Sequence, residues 1–277
     1  FFFKQKTAYE IPKRDWSSDV CSSDLDSLPT WAEFRKAPLE EQERRLRDPA
    51  VRARLIHAAN NETYAASSGA EARKPIWEQL HVYTGPLPPH PTLAELSAAE
   101  NRDPVEIMIE LAMQKPGLDQ FFVQDFAKWT DDYLLEMMRH PRTVMTFSDS
   151  GAHVGQIADS SIHTHLLAYW VRRRQDFTLE EAIRMITLAP ATAWGFHDRG
   201  LLREGLAADI NVIDPEKVGP QAPRVVHDLP GGSRRLLQKA DGIRFTVVNG
   251  RVLMEDGVHT GELPGKLMRQ WRSGEPS

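Results

Sequence analysis

Apolar positions in "LEEQERRLRDPAVRARLIHAA" (39–59) recur three and four residues apart, with Arg, Glu and Ala between them. The stretch from Asp26 to about Arg73 therefore predicts helices with a solvated, charged face. "IWEQLHVYTG" (76–85) holds a short candidate strand, Gln79 to Tyr83, and "GPLPPHP" after it reads as a rigid connector. Three helix starts follow. "TLAE" (92–95) fits a capping box with Thr92 as N-cap and Glu95 at the third position. "DPVE" (103–106) puts Asp103 at the cap and Pro104 at the first helical position, with Val105, Met108, Ile109 and Ala112 on one face. "TLEE" (178–181) repeats the box before "AIRMITLAP", which Pro190 is expected to end. "FFVQDF" (121–126) and "TVMTF" (143–147) predict strands, with "TDDYLLEMMRHP" (130–141) a helix between them. This alternation is an α/β rhythm and predicts parallel strands.

The pattern changes after about Gly205. "AADINVID" (207–214) alternates as a strand does, and "IRFTVVNGRVLMEDG" (243–257) predicts a hairpin turning at Asn249-Gly250. These are antiparallel signals and place a small β-domain at the C-terminal end. The Pro- and Gly-rich "DPEKVGPQAPRVVHDLPGG" (214–232) is expected to join its pieces as a loop.

Composition alters this picture little. Of 277 residues, 41% are hydrophobic and 26% charged, the balance of a globular chain. A net charge of -5 offers no basic surface for nucleic acid or an anionic membrane. No apolar run approaches the ~20 residues that span a bilayer. Residues 1–25 are different: "KQKTAYEI" and "DWSSDVCSSDL" resemble translated sequencing adapter. The expectation is a non-native tail over 1–25, with the upstream part of the natural protein missing. Cys21 falls inside it, so the remainder has no cysteine, which fits a reducing, cytoplasmic setting.

Candidate chemistry centres on "TVMTFSDSGAH" (143–153), where an apolar strand runs into Asp149. In α/β folds the C-terminal ends of strands carry the chemistry. The plainer alternative is a strand-to-helix turn with Asp149 as a cap. Gly151 supplies backbone freedom there, and His153 is either a substrate contact or a surface residue. The residues alone leave this open.

The downstream segments bear on the choice. "SDSGAH", "LEEAIRMITLAPA", "DRGLLREGLAADINVID" and "VNGRVLMEDG…TGELPGKLMR" together resemble the amidohydrolase superfamily, and within it the N-acyl-D-amino-acid deacylase (D-aminoacylase) group, over roughly residues 75–271. The resemblance implies an α/β fold: the C-terminal part of a metal-dependent-hydrolase (β/α)8 TIM barrel followed by strands of a small β-sandwich. The expected division is a partial barrel with a helical insert over 26–204, then the β-sandwich portion and C-terminal tail over 205–277. It implies hydrolysis of an N-acyl amino acid by metal-bound hydroxide, with Zn2+ (one or two ions) as cofactor and a small-molecule substrate as partner. Asp149 takes the proton-shuttle role and is also a candidate metal contact; Ser150, Gly151 and His153 are candidate substrate contacts. A carboxylate suits the task because it can accept a proton from water and return it to the leaving nitrogen. The alternatives are a cyclic-amide amidohydrolase of the dihydroorotase or hydantoinase kind, or a non-catalytic assembly protein of the same fold.

His163-Thr164-His165 mimics the superfamily's strand-borne His-x-His metal pair, but Ile162, Leu166, Tyr169 and Trp170 recur at helical spacing around it. On a helix, residues i and i+2 lie about 200° apart and cannot grip one ion together. "RRR" (172–174) is expected to end that helix, and "WGF" (194–196) to pack between barrel and β-domain. Too few strands precede Asp149 for a whole barrel, and the family's metal-binding residues have no counterparts. The chain by itself is therefore expected to be inactive and poorly stable.

Overall fold

A computed structural model describes residues 2–3, 25, 27–64, 74–124, 130–145, 148, 154 and 160–268. A two-residue strand β1 (Phe2–Phe3) precedes three helices: α1 (Pro29–Arg35), α2 (Leu39–Leu46) and α3 (Pro49–Asn61). As the spacing predicts, their Arg and Glu residues face water, and Glu41 accepts from both Arg44 and Arg45 at 2.7 Å. Strand β2 (Leu80–Val82) comes next. Then come α4 (Leu93–Glu100), α5 (Pro104–Met113) and β3 (Phe122–Gln124).

The caps form as their sequences require. Thr92 Oγ1 accepts from Glu95 N at 3.0 Å while Glu95 accepts from Thr92 N at 2.8 Å. Asp103 accepts from Val105 N at 2.8 Å, and the expected face of α5 is buried in full. That face joins Trp31, Phe34, Leu55, Leu80, Leu93 and Phe122 in a first hydrophobic core.

Helix α6 (Asp131–Arg139) leads to β4 (Val144–Met145). Helix α7 (Ile162–His165) continues directly as a π-helix over Leu166–Arg173. Next come α8 (Leu179–Ile186), capped by the Thr178/Glu181 box, and α9 (Leu188–Trp194). These elements bury Leu134, Met138, Met145, Leu166, Trp170 and Phe177 in a second core.

The C-terminal strands are β5 (Ile210–Ile213), β6 (Gly219–Pro220), β7 (Arg224–Val226), β8 (Arg235–Leu237), β9 (Ala240–Asp241), β10 (Ile243–Val248), β11 (Arg251–Glu255) and β12 (Val258–His259). Four of them form an antiparallel sheet in the order β12-β11-β10-β5. Asn249 (φ 47) and Gly250 (φ 76) both occupy the left-handed region, as a tight two-residue hairpin turn demands. Val218 lies in the second core and Ile213 and Ile243 pack against it, which seats this β-region on the helices. The β7–β8 hairpin reaches across to β2 and β3, where Leu236 and Val225 meet Phe121, Val123 and Tyr83. Among the described residues no helix is long and apolar enough to cross a membrane.

Four expectations change. First, β3 pairs with β2 antiparallel, with His81 opposite Val123. Two helices intervene rather than one, so the chain returns in the opposite sense. Among the described residues β3 and β4 do not pair, and the one parallel ladder is β1 on β4. Second, Pro190 does not end α8. The helix breaks at Thr187 (φ -128, ψ -82), and Pro190 sits in the first turn of α9. A proline has no N–H for residue i−4 and its ring crowds that carbonyl, so the break comes a turn early. Third, the expected loop over 214–232 contains β6 and β7, whose partners lie farther along the chain. Fourth, Trp194 is 58% exposed. It is the last residue of a helix that buries only Ala191, and Gly195 (φ 75) turns the chain away immediately after it.

Candidate functional site

Strand β4 positions the candidate segment. Met145 is buried among residues of α6, α7 and the π-helix, so the strand enters from a packed interior. Asp149, Ser150, Gly151 and His153 lie outside the described residues, as do 146–147 and 155–159. The two described residues around them fix the ends of the segment. Ser148 is half-buried, and the Val154 carbonyl accepts from Leu236 N of β8 at 2.7 Å. The segment thus runs from a buried strand to a point tied to the β7–β8 hairpin.

The flanking α7 carries the two histidines of the His-Thr-His stretch. The helix is present, His163 is exposed and His165 is buried, so the two side chains diverge. Burial pushes the His165 pKa down to about 4, opposed by the Asp131 charge and reinforced by His90. The imidazole is therefore neutral at neutral pH. Its ring lies 5.1 Å from that of Tyr169, one turn on.

Around this pair sits a polar network that the sequence reading did not single out. Tyr169 donates to Asp131 Oδ2 at 2.6 Å, and Arg174 Nη1 donates to the same oxygen at 2.6 Å. Burial, then the bond to Asp131, raises the Tyr169 pKa. Arg174 also binds Asp176, the largest cause of its raised pKa, and stacks 5.0 Å over Trp170. The signal for this network was His165 and Tyr169 four apart within an apolar helix. The expected end of that helix at the Arg run is borne out, and each arginine has a task. Arg172 donates to the carbonyls of Pro215 and Val218, and Arg173 to that of Pro88.

Two cavities flank this frame. One of 450 Å3, lined by His163, Thr164, Thr187, Asn211 and Lys239 among others, separates the start of α7 from the β-region. A second, of 560 Å3, opens at the start of β4. Among the described residues no group of three or more His, Cys, Asp or Glu side chains could hold a metal ion.

The model of the amidohydrolase family matches residues 16–254. The chain belongs to the amidohydrolase family. The amidohydrolase match takes in β4, the segment after it and most of the β-region. An N-acyl-D-aspartate deacylase of Alcaligenes xylosoxydans xylosoxydans is 36% identical over 106 residues, 38% of this chain and 19% of that protein. An N-acyl-D-glutamate deacylase of the same organism is 33% identical over 107 residues, 39% of this chain and 20% of that protein. Among solved structures, N-acyl-D-glutamate deacylase from Bordetella bronchiseptica with zinc and a phosphonate inhibitor is 24% identical, with a TM-score of 0.41 over 69% of this chain and 38% of that one. A D-aminoacylase mutant in complex with CuCl2 gives 20% identity and a TM-score of 0.43 over the same shares. The match to this chain thus spans about a fifth of the length of the two curated deacylases.

Proposed function

We propose that this amidohydrolase chain is part of a metal-dependent enzyme that removes the acyl group from an N-acyl-D-amino acid. The reading rests on one observation above all. Within a family match covering residues 16–254, the two curated relatives are both N-acyl-D-amino-acid deacylases. The alternation of strand and helix around β4, followed by antiparallel strands, supports a partial (β/α) barrel over 26–204 and a β-sandwich portion over 205–277. Residues 1–25 are read as a non-native tail. The substrate is a small molecule and the setting cytoplasmic.

Asp149 holds the proton in this reading. Its carboxylate takes it from the attacking water and delivers it to the leaving nitrogen, which would otherwise depart as a strongly basic anion. Ser150, Gly151 and His153 border the substrate. Zinc, the metal in the N-acyl-D-glutamate deacylase complex, polarises a carbonyl and acidifies water when bound to a protein. The described residues supply no full ligand set for it, so the metal is assigned to groups outside them.

The test is Asp149→Ala in the intact enzyme, assayed on N-acetyl-D-aspartate and N-acetyl-D-glutamate with zinc content measured in parallel. Hydrolysis is expected to fall by about 10²-fold or more while zinc is retained. Near-normal turnover would remove Asp149 from the mechanism.

A further inference from the structure

The 560 Å3 cavity lies at the start of β4, the end opposite to that from which residues 146–153 continue. Its floor is apolar: Met138 and Met145 are buried, with Val144, Met185 and Leu188 around them. Its rim carries two exposed guanidinium groups, Arg139 and Arg184, beside the exposed His140 ring. No Asp or Glu is among the described lining residues. We propose that this cavity binds an amphiphilic carboxylate, an acyl chain ending in a carboxylate, tail inward and headgroup at Arg184 and Arg139.

Size, polarity and charge each support this ligand class. The volume lies within the ~300–1,000 Å3 of small-molecule sites, which pair apolar walls with a few placed polar groups. Arg139 is held in position, donating to Asp176 O at 2.7 Å and stacking 5.4 Å from the Phe177 ring. That leaves most of its N–H donors for a ligand. His140 accepts from Arg142 N through Nδ1 at 3.2 Å, so Nε2 remains available. Arg184 has no acidic partner among the described residues. Glu181, on the same helix, is engaged with the Thr178 N–H in the capping box, and Asp132 and Glu136 share a separate depression with Arg139 and His140.

An added strand is the rival occupant, because Phe2 and Phe3 already pair with Val144 and Met145 on β4. An apolar strand would cover the floor and bring no acceptor to either guanidinium. A carboxylate satisfies both, since arginine forks match carboxylate geometry. The inference does not depend on the deacylase reading, although the acyl acid released by such a reaction is a ligand of this class.

The experiment is titration calorimetry of the 277-residue chain with decanoate, against decanol and acetate as single-feature controls. Decanoate is expected to bind one per chain, at least about tenfold tighter than either control. Arg184→Glu, a change at an exposed position, should weaken it by about tenfold or more, and Arg184→Lys should restore part of the loss. Ala189→Phe, which fills the wall, should abolish binding while far-UV circular dichroism confirms the fold. The proposal is overturned if decanol binds as well as decanoate, if Arg184→Glu and Ala189→Phe both bind like the parent, or if decanoate does not bind.

Discussion

His165 is buried in the second half of the chain and keeps its proton off down to about pH 4, against 6.5 in an exposed chain. The consequence for stability has a definite sign. Between pH 6.5 and 4 the unfolded chain binds a proton that the folded chain refuses, so acidification favours unfolding. Above pH 6.5 the residue contributes no pH dependence, and below about 4 its effect is complete. A depression of this size corresponds to roughly 3 kcal/mol in full, of which about 2 kcal/mol is reached by pH 5. The perturbation is His165→Phe, which keeps a ring against Tyr169 and removes the titration. At pH 7.5 the variant should lie within about 1.5 kcal/mol of the parent, because the swap nearly conserves volume. Urea unfolding followed by circular dichroism at pH 7.5, 6 and 5 reads the difference. The parent should lose about 2 kcal/mol more than the variant over that range. Equal losses in both proteins, or an NMR titration of His165 near pH 6.5, would refute the reasoning.

Two further substitutions probe the frame. Gly242→Ala places a Cβ 2.4 Å from Val218 N at a backbone φ of +73°, so it should cost at least about 2 kcal/mol by thermal denaturation. A shift in Tm below a degree would mean that the β9–β10 corner yields more freely than its packing suggests. Thr178→Ala removes the cap that accepts from Glu181 N at 3.2 Å and should cost about 1 kcal/mol, with Thr178→Ser recovering most of it.

What could be read from the sequence was what depends on neighbours in the chain. Thr92, Asp103 and Thr178 cap their helices because the donors they satisfy lie within the following turn. Asn249-Gly250 makes its turn for the same reason. The sense of the β2–β3 pair was not legible, because it depends on how α4 and α5 fold the 83–121 connection. Nor was the π-helix. Arg174 N bonds back to Tyr169 O, five residues earlier, and the Asp131 and Asp176 partners that hold Arg174 come from outside that helix. For the candidate site, Asp149 was reached from the strand before it and the resemblance after it, and it lies outside the described residues. The helical geometry that separates His163 from His165 was available from spacing alone.

The frame around residues 149–153 has a further consequence. Arg172 grips the Pro215 and Val218 carbonyls, Val218 is part of the second core, and a Cβ on Gly219 would stand 3.2 Å from Ala168 Cβ. The π-helix and the β-region therefore meet at close range over several residues and should move together. The β7–β8 hairpin extends that β-region to Val154 through the Leu236 N–H, while β4 holds the other end of the segment from the interior of the same core. One end of the segment is thus tied to a hairpin that packs on β2 and β3, the other to the second core. The hairpin end rests on the strands β2 and β3 as well as on the β-region, whereas β4 packs against α8 and α9.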